Sequence, residues 1–145
     1  MANPKELQDS LEKIIVDGDP EELLNRAEKV GRGLSNTLKT SQIRNIFGSV
    51  RQIQMNWPPE PKDPGKLDAA ERAKLTEAAD RGWRQLLLLI PKLKYQGERI
   101  KEVRPLADVL TPAIRLVKKD RTRFQRFAEF FEAILAFHTA GGGRS

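Results

Sequence analysis

Cysteine is missing from this 145-residue chain, and histidine occurs only once, at His138. Without cysteine there is no disulfide framework and no thiolate zinc site. A single imidazole cannot supply a histidine-based metal centre, and most nucleophile–base pairings lose a member. Long apolar runs are also absent. The longest purely aliphatic stretches, residues 14–16 and 86–90, fall far short of the roughly 20 residues that span a bilayer. The N-terminal MANPKELQDSLEK lacks the basic start and apolar segment of a secretory signal. A cytoplasmic, soluble protein with no membrane partner is expected. Phosphate loops are wanting too, since Gly31-Arg32-Gly33 has neither a third glycine nor a preceding strand pattern. Carboxylate pairs such as Glu129 and Glu132 lie on a helix flank with nothing electrophilic nearby. The expectation is a non-enzyme that needs no cofactor and no metal.

What the chain does have is helical periodicity. Five of its six phenylalanines fall in residues 121–138, RTRFQRFAEFFEAILAFH. At about 100° per residue, Phe124, Phe127, Ala128, Phe131, Leu135 and His138 share one face. Phe130, Ile134 and Phe137 form an apolar shoulder beside it, leaving Gln125, Glu129 and Glu132 polar. An arc that wide needs at least two neighbours to cover it, so this helix is expected at the centre, with His138 packed or capping. Nowhere is strand-like alternation sustained. The fold class expected is all-α, a compact bundle of about six helices.

Helix starts are well marked. Asn3-Pro4-x-Glu6, Asp19-Pro20-Glu21-Glu22 and Asp68-Ala-Ala-Glu71 carry capping signals, and Thr40-Ser41 reads as another cap. The second helix should stop near Ser35-Asn36. The third carries Ile43, Ile46, Phe47, Val50 and Ile53 inward. Residues 57–65 hold four of the nine prolines and read as a stiff, extended connection. The fourth helix carries Leu75, Ala79, Trp83, Leu86, Leu87 and Ile90 inward, and Pro91 should kink or end it. A fifth begins at Arg104-Pro105, with a kink at Pro112. Three parts are expected: an acidic hairpin over residues 1–39, a helical core over 40–139, and a frayed tail over 140–145.

Charge is unevenly spread. The formal net charge is +6, yet residues 1–40 hold six basic against eight acidic side chains, and residues 81–126 hold thirteen against four. Such a basic window favours a polyanionic partner over a merely solvated surface. Within it, Lys92 and Lys94 flank the approach to the only tyrosine, Tyr95. The lysines read as phosphate contacts and Tyr95 as a core residue. Lys118, Arg121 and Arg123 crowd the junction before the last helix, where part of the charge suits helix termini. In the third helix Arg44, Gly48 and Arg51 share a stripe, either a surface that a phosphate backbone can approach or a solvated flank.

Three ordered stretches, Thr40-Ser41-Gln42-Ile43-Arg44, then Pro91-Lys92-Leu93-Lys94-Tyr95 with Arg99, then Phe127-x-x-Phe130-Phe131-Glu132-Ala133-Ile134-x-Ala136-Phe137-His138, together resemble the small helical subunit of type III-A CRISPR effector complexes, the Csm small subunit. The resemblance covers residues 41–138 and leaves out the first two helices. Where the family usually ends in Ala-Tyr-His, this chain has Ala136-Phe137-His138, so any hydroxyl role is lost and the packing role is kept. The resemblance implies a non-catalytic, RNA-binding subunit in antiviral defence, present in several neighbouring copies beside other Csm-complex subunits. These would line the guide RNA–target RNA channel through sequence-independent backbone contacts. The family's basic positions fall on Arg44, Lys92, Lys94 and Arg99. With the charge map, the candidate RNA-binding set is Arg44, Arg51, Lys92, Lys94, Arg99, Lys118, Arg121 and Arg123. Two other functions fit the residues alone: an adaptor docking an acidic protein, or a free-standing nucleic-acid-binding regulator.

Overall fold

A computed structural model describes residues 3–143. The expected class holds: six α-helices and two short 3-10 turns, with no strand among the described residues. They are α1 (Pro4–Ile15), α2 (Pro20–Leu34), α3 (Thr40–Asn56), α4 (Ala69–Arg99), α5 (Arg104–Arg115) and α6 (Arg121–Ala140), with 3-10 turns at Pro64–Lys66 and Lys101–Val103.

Capping residues set most boundaries as their chemistry dictates. Asn3 accepts from the Lys5 amide and Asp19 from those of Glu21 and Glu22. Asp120 takes the Arg123 amide. Asp68 and Glu71 close a reciprocal box at 2.7 and 3.2 Å. At α3 the cap sits one residue earlier than Thr40: Lys39 occupies it, and the Gln42 side chain accepts from the Lys39 amide. The proline-rich connection holds no helix apart from the single turn at Pro64–Lys66. The frayed tail expected from residue 140 is described only as far as Gly143. Ala140 ends α6 and Gly141 caps it, while Arg144 and Ser145 lie outside the described residues.

Helix α6 is the central element. Phe124, Phe127, Phe130, Phe131 and Ile134 are all fully buried, and helices α1, α2, α3 and α5 all pack against it. An aromatic ladder runs along its face. Trp57 stacks on Phe124 at 4.9 Å, Phe124 on Phe127 at 6.5 Å, Phe127 meets Phe131 at 6.5 Å, and Phe131 meets Phe47 edge-on at 5.1 Å. Pairs of this geometry add about 0.5–1.5 kcal/mol each beyond area burial. His138 ends the buried face. Its Nε2 lies 2.6 Å from the Leu38 carbonyl, tying α6 to the α2–α3 link, and its Nδ1 has no partner among the described residues.

The acidic first two helices join this same core. Leu11, Ile14, Ile15, Ala27 and Leu34 are continuous with the α6 aromatics. α2 crosses α6 more extensively than any other helix does, and Gly31 allows it. A Cβ there would lie 2.6 Å from the Ile134 carbonyl oxygen and 2.7 Å from the Phe137 Cβ. At the other end, Arg126 donates to the Ile15 and Val16 carbonyls at 3.2 and 2.9 Å, closing the C-terminus of α1. A polar clasp fixes the α1–α2 pair: buried Arg26 donates to Ser10, whose hydroxyl donates to Glu22.

Two glycines in one helix therefore carry opposite expectations. Gly31→Ala should destabilise the fold by about 1–3 kcal/mol, because the Ile134 carbonyl oxygen and the His138 amide nitrogen in its way belong to backbone and cannot step aside. Gly33 has nothing within 4 Å, so Gly33→Ala should stabilise by roughly 0.5–1 kcal/mol through helix propensity. Thermal unfolding of the two variants checks the crossing; equal melting temperatures contradict it.

Candidate nucleic-acid interface

Helix α4 carries most of the candidate basic face, and two expectations about it change. Pro91 does not end it: α4 runs for 31 residues from Ala69 to Arg99, with the proline inside. Pro91 lies on the exposed side, so the carbonyl it leaves without a helical donor faces water, where the loss is smallest. Likewise α5 continues across Pro112 to Arg115. The buried stripe of α4 is also rotated from the one expected. It consists of Ala78, Gly82, Leu86, Leu89, Leu93 and Gly97, with Leu75, Ala79, Trp83 and Ile90 only half-buried and Leu87 exposed.

The glycines explain the rotation. A Cβ at Gly82 would come within 2.6 Å of the Trp57 indole, so the absent side chain admits the ring. Gly97 faces the start of α5 at Arg104. Trp57 is held from its other side by Arg121, whose Nε donates to the Trp57 carbonyl at 2.7 Å. The same guanidinium donates to Gln125 at 3.0 Å and stands 5.3 Å from the Phe124 ring centroid.

Arg121 is thereby committed to the interior. It is 8% exposed, and burial lowers its guanidinium pKa from the ordinary value. Of the eight candidate basic residues, this one is buried and spends its donors on internal acceptors. Arg123 is half-buried and donates to the Leu116 carbonyl at 3.1 Å. Lys118 is exposed, in the left-handed region at φ 49°. Its neighbour Lys119, at φ 62°, pairs with Asp80.

The remaining candidates divide by face. Arg44 and Arg51 are exposed on α3, with open space at Gly48 between them and Arg51 standing 5.5 Å over the Phe47 ring. Lys92 and Lys94, two positions apart on an unbroken helix, point about 200° apart. Lys92 looks into the groove between α3 and α4, together with Tyr95 and Arg99. Lys94 looks into the groove between α4 and α5, among Glu98, Arg104, Asp108 and Arg115. Tyr95, expected in the core, is 61% exposed. The Arg99 guanidinium sits 5.6 Å from its ring centroid.

The candidate set drawn from the sequence leaves out two further exposed cations of this helix, Arg81 and Arg84. Both are exposed, and at about 100° per residue both fall on the face of Lys92, Tyr95 and Arg99. The signal was present as helical spacing across Pro91, which reads only if the helix continues past a proline expected to kink or end it. From Arg81 to Arg99 the stripe extends about 27 Å at 1.5 Å per residue. Among the described residues none of Arg44, Arg51, Arg81, Arg84, Lys92, Lys94, Arg99 or Lys118 forms an ion pair. The described residues hold no cluster of His, Asp or Glu fit for a metal, and no helix is long and apolar enough to cross a membrane.

Arg121→Ala should therefore behave as a core mutation. Losing buried hydrogen bonds from a charged group costs about 1.5–3 kcal/mol, whereas Lys92→Ala should change stability by roughly 0.5 kcal/mol or less. Urea unfolding separates them; an Arg121→Ala protein as stable as wild type would return that arginine to the surface set.

Among known proteins, the family described as Csm2 Type III-A matches residues 17–144. This reaches further back than the three motifs of residues 41–138 and takes in all of α2. No curated protein and no solved structure gives a match.

Proposed function

The chain belongs to the Csm2 family, the small subunits of type III-A CRISPR Csm complexes, and from that premise we propose that it binds RNA through the exposed face of α4. The family is a structural, non-catalytic component of a multi-subunit complex. In our reading it works in the cytoplasm in antiviral defence, among other Csm subunits and neighbouring copies of itself. Several copies line the channel that holds guide RNA and target RNA. Exposed Leu24 and Met55 give apolar surface for neighbouring subunits.

The observation that carries the RNA reading is the single stripe Arg81, Arg84, Lys92 and Arg99 on one uninterrupted helix, without ion-pair partners among the described residues. Cations spaced along a rod meet phosphates spaced along a strand, and such contacts carry no base information. Arg44 and Arg51 add charge on α3. Sequence selection then rests on guide–target pairing, with the protein reading backbone and shape.

Replacing Arg84, Lys92 and Arg99 together with alanine should weaken RNA binding for all sequences alike. The slope of log affinity against log salt should become shallower by about 0.7 for each phosphate of a single strand that is no longer neutralised. Lys94→Ala, on the other flank, should leave the slope as in wild type. Titrations at several salt concentrations decide it. An unchanged slope in the triple variant, with an acidic protein partner released instead, would replace RNA binding by an adaptor function.

A further inference from the structure

The groove between the start of α3 and the end of α4 has chemistry that phosphate binding leaves unused. It is a cleft of about 270 Å³. Lys92, Tyr95, Gln96 and Arg99 contribute from α4, and Gln42 and Asn45 from α3. A solvated flank for charge alone requires neither an aromatic ring nor side-chain amides. Here most of the Tyr95 ring stands in water, and Arg99 Nη1 reaches its hydroxyl at 3.5 Å. The guanidinium lies over the ring, so the tyrosine is held in place from within its own helix, one turn away.

The geometry points to a single-nucleotide seat in this groove, in which one unstacked RNA base lies on Tyr95 and its phosphate meets Lys92 and Arg99. An exposed ring gives any base a stacking surface. Amides both donate and accept, so Gln42, Asn45 and Gln96 can meet the edge of a purine or a pyrimidine. Size limits the occupant: the cleft falls just below the roughly 300–1,000 Å³ of ordinary ligand pockets, which suits one ring system and excludes a stacked pair. A base within a continuous duplex is stacked on both sides and cannot enter. The seat therefore takes unpaired or splayed-out nucleotides, while the Arg81–Arg99 stripe serves paired and unpaired strands alike. This inference rests on the RNA-binding reading and specifies its ligand.

Full-length protein is titrated by fluorescence anisotropy against single-stranded oligo(A) and against a fully paired RNA duplex of the same length. Tyr95→Ala should lower affinity for oligo(A) by roughly five- to hundred-fold, the effect of losing one stacked base. Its duplex affinity should match wild type, and Tyr95→Phe should retain both. Because Tyr95 is exposed, circular dichroism of the variants should be unchanged. Wild-type affinity of Tyr95→Ala for oligo(A) overturns the seat. If the Arg84/Lys92/Arg99 variant still loses RNA in that case, the basic stripe stands without it. Equal losses on oligo(A) and duplex, or a loss in Tyr95→Phe, also overturn it. Binding of neither RNA by wild type overturns both readings together.

Discussion

An apolar arc reaching around half of α6 cannot be left in water, and everything else in the fold follows from covering it. Five buried phenylalanine and isoleucine side chains on one helix demand neighbours on several sides. The chain supplies them from α1, α2, α3 and α5. The closest approach is α2, where Gly31 places two backbones in direct contact. Where no side chain separates two helices, their packing has one solution, because any added volume must displace backbone.

That constraint reaches the basic face through Trp57. Trp57 is the C-cap residue of α3, and its indole stacks on Phe124 of α6 and presses into the side-chain gap at Gly82 of α4. Arg121 fixes the tryptophan's carbonyl. Three helices thus meet around one aromatic ring, and the rotation of α4 about its axis is settled there. Everything on its outer face inherits that rotation. Arg81, Arg84, Lys92, Tyr95 and Arg99 face outward because Gly82, Leu86, Leu89 and Leu93 face in. A cationic surface built on a rigid helix keeps its spacing better than one built on loops, which suits a partner with regularly spaced charges.

Much of this was legible in the residues. Helix class, the centrality of α6 and most capping residues follow from local rules with little competition: period 3.6, side-chain oxygens at helix starts, and prolines at first turns. The harder features depend on tertiary packing. Pro91 reads as a kink or an end, but an exposed proline can be accommodated inside a long, well-anchored helix. With the break removed, Lys92 and Lys94 separate onto two faces, and Tyr95 turns outward. Nothing in the local sequence distinguishes Gly31 and Gly82 from other helix glycines; only their neighbours reveal them as points where helices touch. Arg121 looked like part of a basic cluster, although its position beside Phe124 on the most apolar helix could have suggested an inward direction.

The central claim is that one face of α4 meets RNA and the opposite flank does not. It is tested most directly by titrating unlabelled single-stranded RNA into isotope-labelled protein and following backbone and side-chain shifts by NMR. The account predicts perturbations at Arg84, Lys92, Tyr95, Arg99 and Asn45, with Lys94, Arg104, Arg115 and buried Arg121 unmoved. Perturbations centred on the α4–α5 groove, or spread evenly around α4, would contradict it.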